Sequence, residues 1–216
     1  MTPGLKIFVF VLLAFVLGYA LGRLHARHHA LSFQNRGESR VSHMIQAQFA
    51  APDFHLLNHI TLQLPDGTTQ IDHILVSRFG VFVIETKDYK GWIFADGQQS
   101  TWTQVFPRGK FKFQNPLFQN MRHVQAVQGL LDFLPPNAIR SAVVFTGDAE
   151  FKTDMPAGVF TVSGLLEHLH SFSEEVMSLN RVQFCVGRLE TSRLAISGQT
   201  DVQHVESLKK RFGQRA

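Results

Sequence analysis

The sequence predicts an α/β protein in which helices pack on a β-sheet. Three features support this class: a series of apolar segments rich in β-branched residues between residues 54 and 87, an amphipathic helical pattern on each side of that series, and a further short apolar strand at residues 142–146. A chain that alternates between strand periodicity and helix periodicity is typical of a sheet covered by helices.

Turn-forming residues divide the apolar segments into strands. Pro65-Asp66-Gly67 and Asp96-Gly97 are hairpin signals, and Gly80 follows a short break between two buried runs. The first three strands are expected to be antiparallel, with the next hairpin following them. The predicted strands comprise residues 54–64, 70–76, 81–87, 92–94, 101–103, 142–146 and 158–162.

Apolar residues at helical spacing predict the helices. Pro116 suits the first turn of the longest helix, and Pro135-Pro136 ends it. Ser163 is expected to cap the helix that follows the last strand. Residues 181–188 give no clear pattern. The predicted helices comprise residues 32–49, 115–134, 164–170, 174–179 and 201–212.

The charge is distributed unevenly along the chain. The net charge of +4 comes from the two ends, since residues 1–40 and 209–216 hold nine of the 21 Lys and Arg residues but one of the 17 acids. The middle therefore holds twelve bases and sixteen acids, which weakens a prediction of tight duplex binding through many phosphate contacts. The single cysteine, Cys185, excludes an internal disulfide framework and fits a reducing compartment.

The first end of the chain is predicted to be a membrane anchor. Residues 7–22 form an uninterrupted apolar run between Lys6 and Arg23, about long enough to cross a bilayer if both flanking side chains snorkel. A cleaved signal peptide is the main alternative, but the residues after the run offer a poor cleavage site. Arg23 and Arg27 place the following body in the cytoplasm by the positive-inside rule.

Three charges interrupt the apolar hairpin at residues 70–87. Strand alternation directs Glu85 and Lys87 to one side, with Asp72 on the neighbouring strand. Burying two carboxylates and an ammonium is unfavourable by several kcal/mol unless they pair or bind a metal. A solvated salt-bridged patch is the alternative interpretation. The apolar neighbours favour a buried metal site.

The order of these charges resembles the nuclease-related domain (NERD) family, within the metal-dependent nucleases of restriction-endonuclease-like fold. The resemblance rests on Gly37-Glu38, Gln70-Ile71-Asp72-His73-Ile74, the segment Gly80 to Lys87 that ends in Glu85-Thr86-Lys87, and Asn115-Pro116 with Gln119. It implies a mixed sheet flanked by helices. It also suggests three regions: an anchor with its basic flank at 1–30, the nuclease-related domain at 31–170 and a C-terminal extension at 171–216.

The resemblance implies a function as well as a fold. Asp72, Glu85, Glu38 and the backbone carbonyl of Thr86 would hold Mg²⁺ or Mn²⁺, ions that prefer oxygen ligands. Lys87 would assist the attacking water or stabilise transition-state charge, and Gln119 would position water or phosphate. His73, which alternation turns to the opposite face from Asp72, is expected to pack or to support a ligand rather than to bind the ion.

The implied partners are nucleic acid, DNA in the first place, and the membrane. Arg108, Lys110 and Lys112 interleave with aromatic residues and could grip phosphates while bases stack. An edge strand protected by lysines explains the same pattern equally well. The overall expectation is a single-pass protein of the bacterial inner membrane that hydrolyses phosphodiester bonds, with homodimerisation as a further option. A catalytically inactive binding module of the same fold is the alternative, and a membrane scaffold without a metal site is a third.

Overall fold

The computed structural model describes residues 36–195, which form two mixed β-sheets and four α-helices. The predicted α/β class is confirmed in this form. No helix within residues 36–195 is long and apolar enough to span a bilayer. The predicted anchor at 7–22 and the predicted helix at 201–212 lie outside the described residues.

The helices and strands alternate along the chain. The helices are α1 (Arg36–Gln48), α2 (Pro116–Leu130), α3 (Val162–His170) and α4 (Leu179–Ser192), and a 3₁₀ turn spans Pro136–Ala138. The strands are β1 (Phe54–Leu64), β2 (Gly67–Ser77), β3 (Gly80–Lys87), β4 (Gly91–Phe94), β5 (Thr101–Phe106), β6 (Gly109–Gln114), β7 (Ile139–Phe145), β8 (Ala149–Phe151) and β9 (Val159–Thr161).

The main sheet has the strand order β1-β2-β3-β7-β9. The first three strands are antiparallel because tight turns join them, as predicted. Strands β7 and β9 then run parallel to β3, since the long crossover through β4–β6 and α2 returns the chain in the same direction. The centre of this sheet is apolar on both faces, which explains the continuous hydrophobic runs of β2 and β3.

Helices cover both faces of the main sheet. One face packs Ile74 and Val83 against Val127 of α2 and Leu189 of α4. The other face packs Leu75, Ile84 and Val144 against α1 and α3, through side chains that include Ile45 and Leu165. The helix α4 includes residues 181–188, for which no clear pattern was found, and its buried stripe of Val182, Cys185 and Leu189 places it on the main sheet.

The smaller sheet has the order β6-β5-β4-β8 and packs against side chains of β7 and β9 of the main sheet. Its inner side chains, Ile93 and Trp102, pack against Val143, Phe145 and Val159. The predicted β4–β5 hairpin is present. The strand β8 was not predicted, because a three-residue strand carries little periodicity of its own.

Several predicted boundaries are wrong. Helix α3 is capped by Thr161, whose side chain accepts from the Gly164 N–H, and Ser163 lies inside the helix. Residues 174–179 are not helical apart from Leu179, which begins α4. Helix α2 ends at Leu130 rather than at residue 134.

Candidate functional site

Strands β2 and β3 separate at Asp72. Their paired register ends at His73–Ile84, and beyond it the Thr86 backbone N–H donates to Asp72 Oδ2 at 2.7 Å. A side-chain carboxylate thus takes the place of the next ladder hydrogen bond. This bond fixes the Asp72 side chain at the point where the sheet splits.

Strand β1, the neighbour of β2 on the side away from β3, is also distorted opposite Asp72. The β1–β2 register pairs Asn58 with His73 and Ile60 with Ile71, so His59 lies across from Asp72. His59 has a φ of 55°, an uncommon value for a residue other than glycine and one that is often found at functional sites. The regular strand geometry is therefore interrupted on both sides of Asp72, in β1 and in the pairing with β3.

Glu85, Lys87 and Gln119 form one hydrogen-bonded group. Lys87 Nζ donates to Glu85 Oε1 at 2.6 Å and to Gln119 Oε1 at 3.0 Å. The Glu85 and Lys87 side chains are 3% and 14% exposed, so this ion pair is largely removed from water. Strand alternation predicted the shared side of Glu85 and Lys87, and the contact confirms it.

His123 belongs to the same group, although the sequence did not single it out. Its Nε2 lies 3.1 Å from Glu85 Oε2, and its Nδ1 lies 2.8 Å from Thr69 Oγ1. An ionised carboxylate only accepts, so His123 donates from Nε2. The helical spacing of Gln119 and His123, four residues apart, places both on the face of α2 toward the sheet and is the signal that could have found His123.

Two asparagines hold the start of α2 in place. The Asn115 side chain accepts from the Leu117 N–H at 2.9 Å and donates to the Gln99 carbonyl at 2.7 Å. The fully buried Asn120 donates to the carbonyls of Val83 and Ala142. These bonds tie the helix to both sheets, which sets the position of Gln119 and His123 relative to β3.

Electrostatics keep Glu85 and Lys87 charged. Burial acts to raise the pKa of Glu85, but Lys87 and the hydrogen bond from His123 outweigh it, and the pKa is lowered. Burial acts to lower the pKa of Lys87, but Glu85 and Asp72 outweigh it, and the pKa is raised. At neutral pH the pair is therefore an ionised carboxylate beside an ammonium.

Asp72 differs from Glu85. Burial first, then the charges of Glu85 and Glu38, raise the pKa of Asp72 well above its usual value, against the lowering effects of the Thr86 hydrogen bond and Lys87. Glu38 is buried in the first turn of α1. Two carboxylates, Glu85 and Glu38, thus act electrostatically on Asp72 against one ammonium, Lys87.

His73 points into a separate environment. It is completely buried, its Nδ1 lies 2.8 Å from Asn58 Oδ1, and Ser42 of α1 lies 3.5 Å from the same nitrogen. Burial lowers the pKa of His73 to about 4, so the imidazole is neutral and donates from Nδ1. Its Nε2 and the Thr86 Oγ1 are buried atoms without a hydrogen-bond partner among residues 36–195.

The predicted nucleic-acid residues lie on the smaller sheet and not beside the carboxylates. Arg108 is in the turn before β6, and Lys110 and Lys112 are exposed on β6 itself. Phe113 of the same strand faces inward, against Tyr89 and Trp102. The basic residues and the aromatic residues of this segment therefore lie on opposite faces.

The donor set fits a divalent ion in its chemistry. Glu38, Asp72 and Glu85 offer hard oxygen ligands, and the charges of Glu85 and Glu38 add to burial in raising the pKa of Asp72. Within residues 36–195, no group of three His, Cys, Asp or Glu side chains is already gathered as a metal cluster. Both Glu85 oxygens are engaged, by Lys87 and by His123, so a cation would compete with the ammonium for Glu85.

Comparison with known proteins gives two matches. The family model named "Nuclease-related domain" matches residues 34–146, the part of the chain that contains β1–β7, α2 and the whole group described above. An uncharacterized protein of Bacillus anthracis is 28% identical over 202 residues, which cover 93% of this chain and 86% of that protein.

Proposed function

Because this chain belongs to the nuclease-related domain family, we propose that it is a membrane-anchored, divalent-metal-dependent nuclease that hydrolyses phosphodiester bonds in DNA or RNA. The observation that supports this proposal is the convergence of Asp72 and Glu85 on one ammonium, Lys87, while Glu38 acts electrostatically on Asp72. We further propose that the two sheets belong to a restriction-endonuclease-like fold. A bacterial inner-membrane location with a cytoplasmic body, and a homodimer, are parts of the same proposal.

Asp72 and Glu85 would hold the ion, with Glu38 and the Thr86 carbonyl as further oxygen donors. A bound Mg²⁺ or Mn²⁺ would supply charge neutralisation at the phosphate and activation of water. The Thr86 N–H orients the Asp72 carboxylate, and the Thr69–His123 pair orients the Glu85 carboxylate. Such outer hydrogen bonds fix the direction in which ligand oxygens point.

Lys87 would act as a hydrogen-bond donor and a positive charge. Its raised pKa keeps the ammonium protonated, so it does not serve as a base at neutral pH. In that state it can orient a water molecule or stabilise the negative charge that develops on the phosphate in the transition state. Gln119 Oε1 accepts from Lys87 Nζ and so restricts the direction of the ammonium.

The decisive experiment measures cleavage and metal binding together. Full-length protein in detergent is incubated with labelled DNA and RNA with Mn²⁺ or with chelator, and Mn²⁺ binding is followed by titration calorimetry. Asp72→Ala and Lys87→Ala are compared with Asp66→Ala, an exposed aspartate paired with Arg122. We expect Mn²⁺-dependent cleavage that falls by about 10²–10³-fold in both site variants, while Asp66→Ala retains it.

Other outcomes would separate the alternatives. If the protein binds Mn²⁺ through Asp72 but cleaves nothing, the catalytically inactive module is favoured. Two observations support that alternative: both Glu85 oxygens are already hydrogen-bonded, and the middle of the chain is acidic. No Mn²⁺ affinity and no cleavage would leave a membrane scaffold whose charged group is a buried salt-bridge network.

A further inference from the structure

The outer face of the smaller sheet exposes two large aromatic residues. Trp92 and Phe94 of β4 are 49% and 41% exposed, whereas Ile93 between them is completely buried. Strand alternation therefore directs both rings away from the core. Single exposed apolar residues are normal on protein surfaces, but neighbouring exposed aromatic rings form an apolar patch, and such patches mark binding surfaces.

The strand register aligns each ring with a lysine. Trp92 pairs with Val105, and Val105 pairs with Lys110. Phe94 pairs with Thr103, and Thr103 pairs with Lys112. Directly paired residues share a face of the sheet, so each row runs from an aromatic residue through a smaller residue to an exposed lysine.

A third lysine borders the rings. Lys152, just after β8, lies with its Nζ 4.9 Å from the centre of the Trp92 ring. Glu150, which pairs with Trp92 across β4–β8, brings a negative charge to this face and forms an ion pair with Lys152. With Lys110 and Lys112 included, cations outnumber this acid on the face.

We propose that this face, defined by Trp92, Phe94, Lys110, Lys112 and Lys152 and named here the aromatic-lysine face, binds single-stranded nucleic acid. The inference rests on the proposed nuclease function and specifies its substrate class. Two strand spacings separate the aromatic strand from the lysine strand, about 10 Å, so the long lysine side chains can reach phosphates while bases stack on the rings. Duplex bases are already stacked on one another, so the rings would have no free base to stack on.

The chain leads directly from this face to the proposed catalytic group. Only Asp88, Tyr89 and Lys90 separate Lys87 at the end of β3 from Gly91 at the start of β4. Lys90 lines a cleft of about 390 Å³ together with Arg36 and Arg40 of α1. Lys90 therefore lies between the aromatic-lysine face and Lys87 along the chain, and its side chain lines this cleft.

This cleft is next to Lys87 and carries both signs of charge. The Thr146 N–H at its wall donates to the Lys87 carbonyl at 3.0 Å. Asp88 and Asp148 also line it, so its three cations exceed its acids by one. The cleft alone would be a weak phosphate site. It supports the proposal only as a second place where cations lie close in the chain to the aromatic-lysine face.

A lipid surface is the competing partner, since aromatic residues and lysines also bind anionic membranes. Membrane insertion needs a continuous apolar surface with cations around it. On this face the rings occupy one strand and two of the lysines another, with Thr103 and Val105 between them. That arrangement matches alternating bases and phosphates better than a lipid boundary.

The two tryptophans provide a direct test. Trp92 is half exposed and Trp102 is 1% exposed, so added ligand or aqueous quencher changes the emission of Trp92 selectively. Full-length protein in dodecyl maltoside is titrated in EDTA with oligothymidylate of about 12 nucleotides, a length within the usual range for one binding domain. Binding is also measured by the fluorescence anisotropy of labelled oligonucleotide.

We expect saturable quenching of Trp92 by single-stranded oligonucleotide and much weaker binding of the matching duplex. Trp92→Ala and Phe94→Ala should each weaken single-strand binding by about tenfold or more, as for other stacking side chains. Trp92→Phe should keep most of the affinity and lose the quenching signal. Phe184→Ala, which removes an even more exposed ring from α4, is the control and should leave the affinity unchanged.

The lysines are tested through salt dependence. Lys110→Gln with Lys112→Gln should reduce the slope of log affinity against log salt by about 1.4, because each single-strand phosphate contact contributes about 0.7. Circular dichroism verifies that each variant is folded. An unchanged slope would show that these lysines do not meet phosphates, which would overturn the proposal.

The remaining outcomes also decide. Equal affinity for duplex and single strand would overturn the single-strand assignment. A blue shift of Trp92 emission on adding phosphatidylglycerol to the micelles, with no response to oligonucleotide, would assign the face to lipid. Binding is measured in EDTA, without metal, so the result does not depend on whether the nuclease proposal is correct. Metal-dependent cleavage without single-strand binding would overturn only the proposal for the aromatic-lysine face.

Discussion

Asp72 and His73 are adjacent on β2 and both are buried and titratable, yet their surroundings and the resulting pKa shifts are opposite. His73 lies beside Asn58 and Ser42, where burial outweighs the opposing charge of Glu85 and lowers its pKa to about 4. Burial first, and then the charges of Glu85 and Glu38, raise the pKa of Asp72 well above its usual value. The histidine resolves its burial by losing its charge. The aspartate remains in a group with excess negative charge that a cation would relieve.

The comparison separates a structural site from a functional one. Burial alone marks both residues, so burial does not distinguish them. What distinguishes them is the balance of the neighbouring charges: burial outweighs the opposing charge of Glu85 at His73, whose hydrogen-bond partner is a neutral amide, whereas burial and two carboxylates act in the same direction on Asp72. The predictions below test this difference, beginning with the largest expected effect.

Removing the ammonium should be the most disruptive change. Lys87→Met leaves Glu85 buried opposite His123 without its main counter-charge, and breaking a buried ion pair of this kind costs about 3–5 kcal/mol. Lys152→Met, which breaks an exposed pair with Glu150, should cost about 1 kcal/mol or less. Urea unfolding in EDTA measures both. Equal losses in the two variants would show that the Lys87 pair is effectively solvated.

The His73 pocket should give the protein a specific acid sensitivity. The folded pKa of about 4 lies below the unfolded value of 6.5, so the unfolded chain binds a proton first and stability falls as pH drops from about 6.5 to 4. The full loss is about 3 kcal/mol, since one pKa unit corresponds to about 1.4 kcal/mol. His73→Gln should flatten this part of the pH–stability curve, whereas His170→Gln, at an exposed position, should leave it unchanged.

The hydrogen bond from His123 should matter for metal binding more than for folding. His123→Ala frees Glu85 Oε2 to rotate, and loss of such a supporting bond typically reduces metal affinity by about 10–100-fold. His123→Asn, which can still donate, should recover part of it. Calorimetric titration with Mn²⁺ gives the affinities. Unchanged affinity in His123→Ala would show that Glu85 needs no support from α2.

Asp72→Asn should stabilise the metal-free protein while it removes metal binding. The amide oxygen can still accept from the Thr86 N–H, but the repulsion from Glu85 and Glu38 is gone. The thermal midpoint in EDTA should rise at neutral pH, by about 2–4 °C for each kcal/mol of repulsion relieved. The gain should fade as the pH is lowered toward the usual carboxyl pKa, because wild-type Asp72 then becomes neutral as well. A lower midpoint at neutral pH would contradict the charge assignment.

The structure agrees with the sequence most closely where local patterns were strong. The strand predicted at 54–64 has these exact bounds, and Gly80 and Pro65-Asp66 mark the turns as expected. The predictions failed where local patterns compete. Thr161 and Ser163 are two residues apart, and both are residue types that are favoured at the N-cap of a helix. Thr161 is the N-cap because the helix begins at Val162, directly after β9.

The contacts of the candidate site likewise divide into those that a local sequence pattern predicts and those that it does not. The sequence by itself determined that Glu85 and Lys87 share a side, because a strand fixes side-chain direction every second residue. Only the tertiary structure decided that His123 and Thr69 support Glu85, that the Thr86 N–H holds Asp72, and that Trp92 and Phe94 share a face with the β6 lysines. These contacts join residues that are far apart in the chain or on different strands. Periodicity fixes the direction of a side chain along one element, but which elements become neighbours depends on how the whole chain buries its apolar surface.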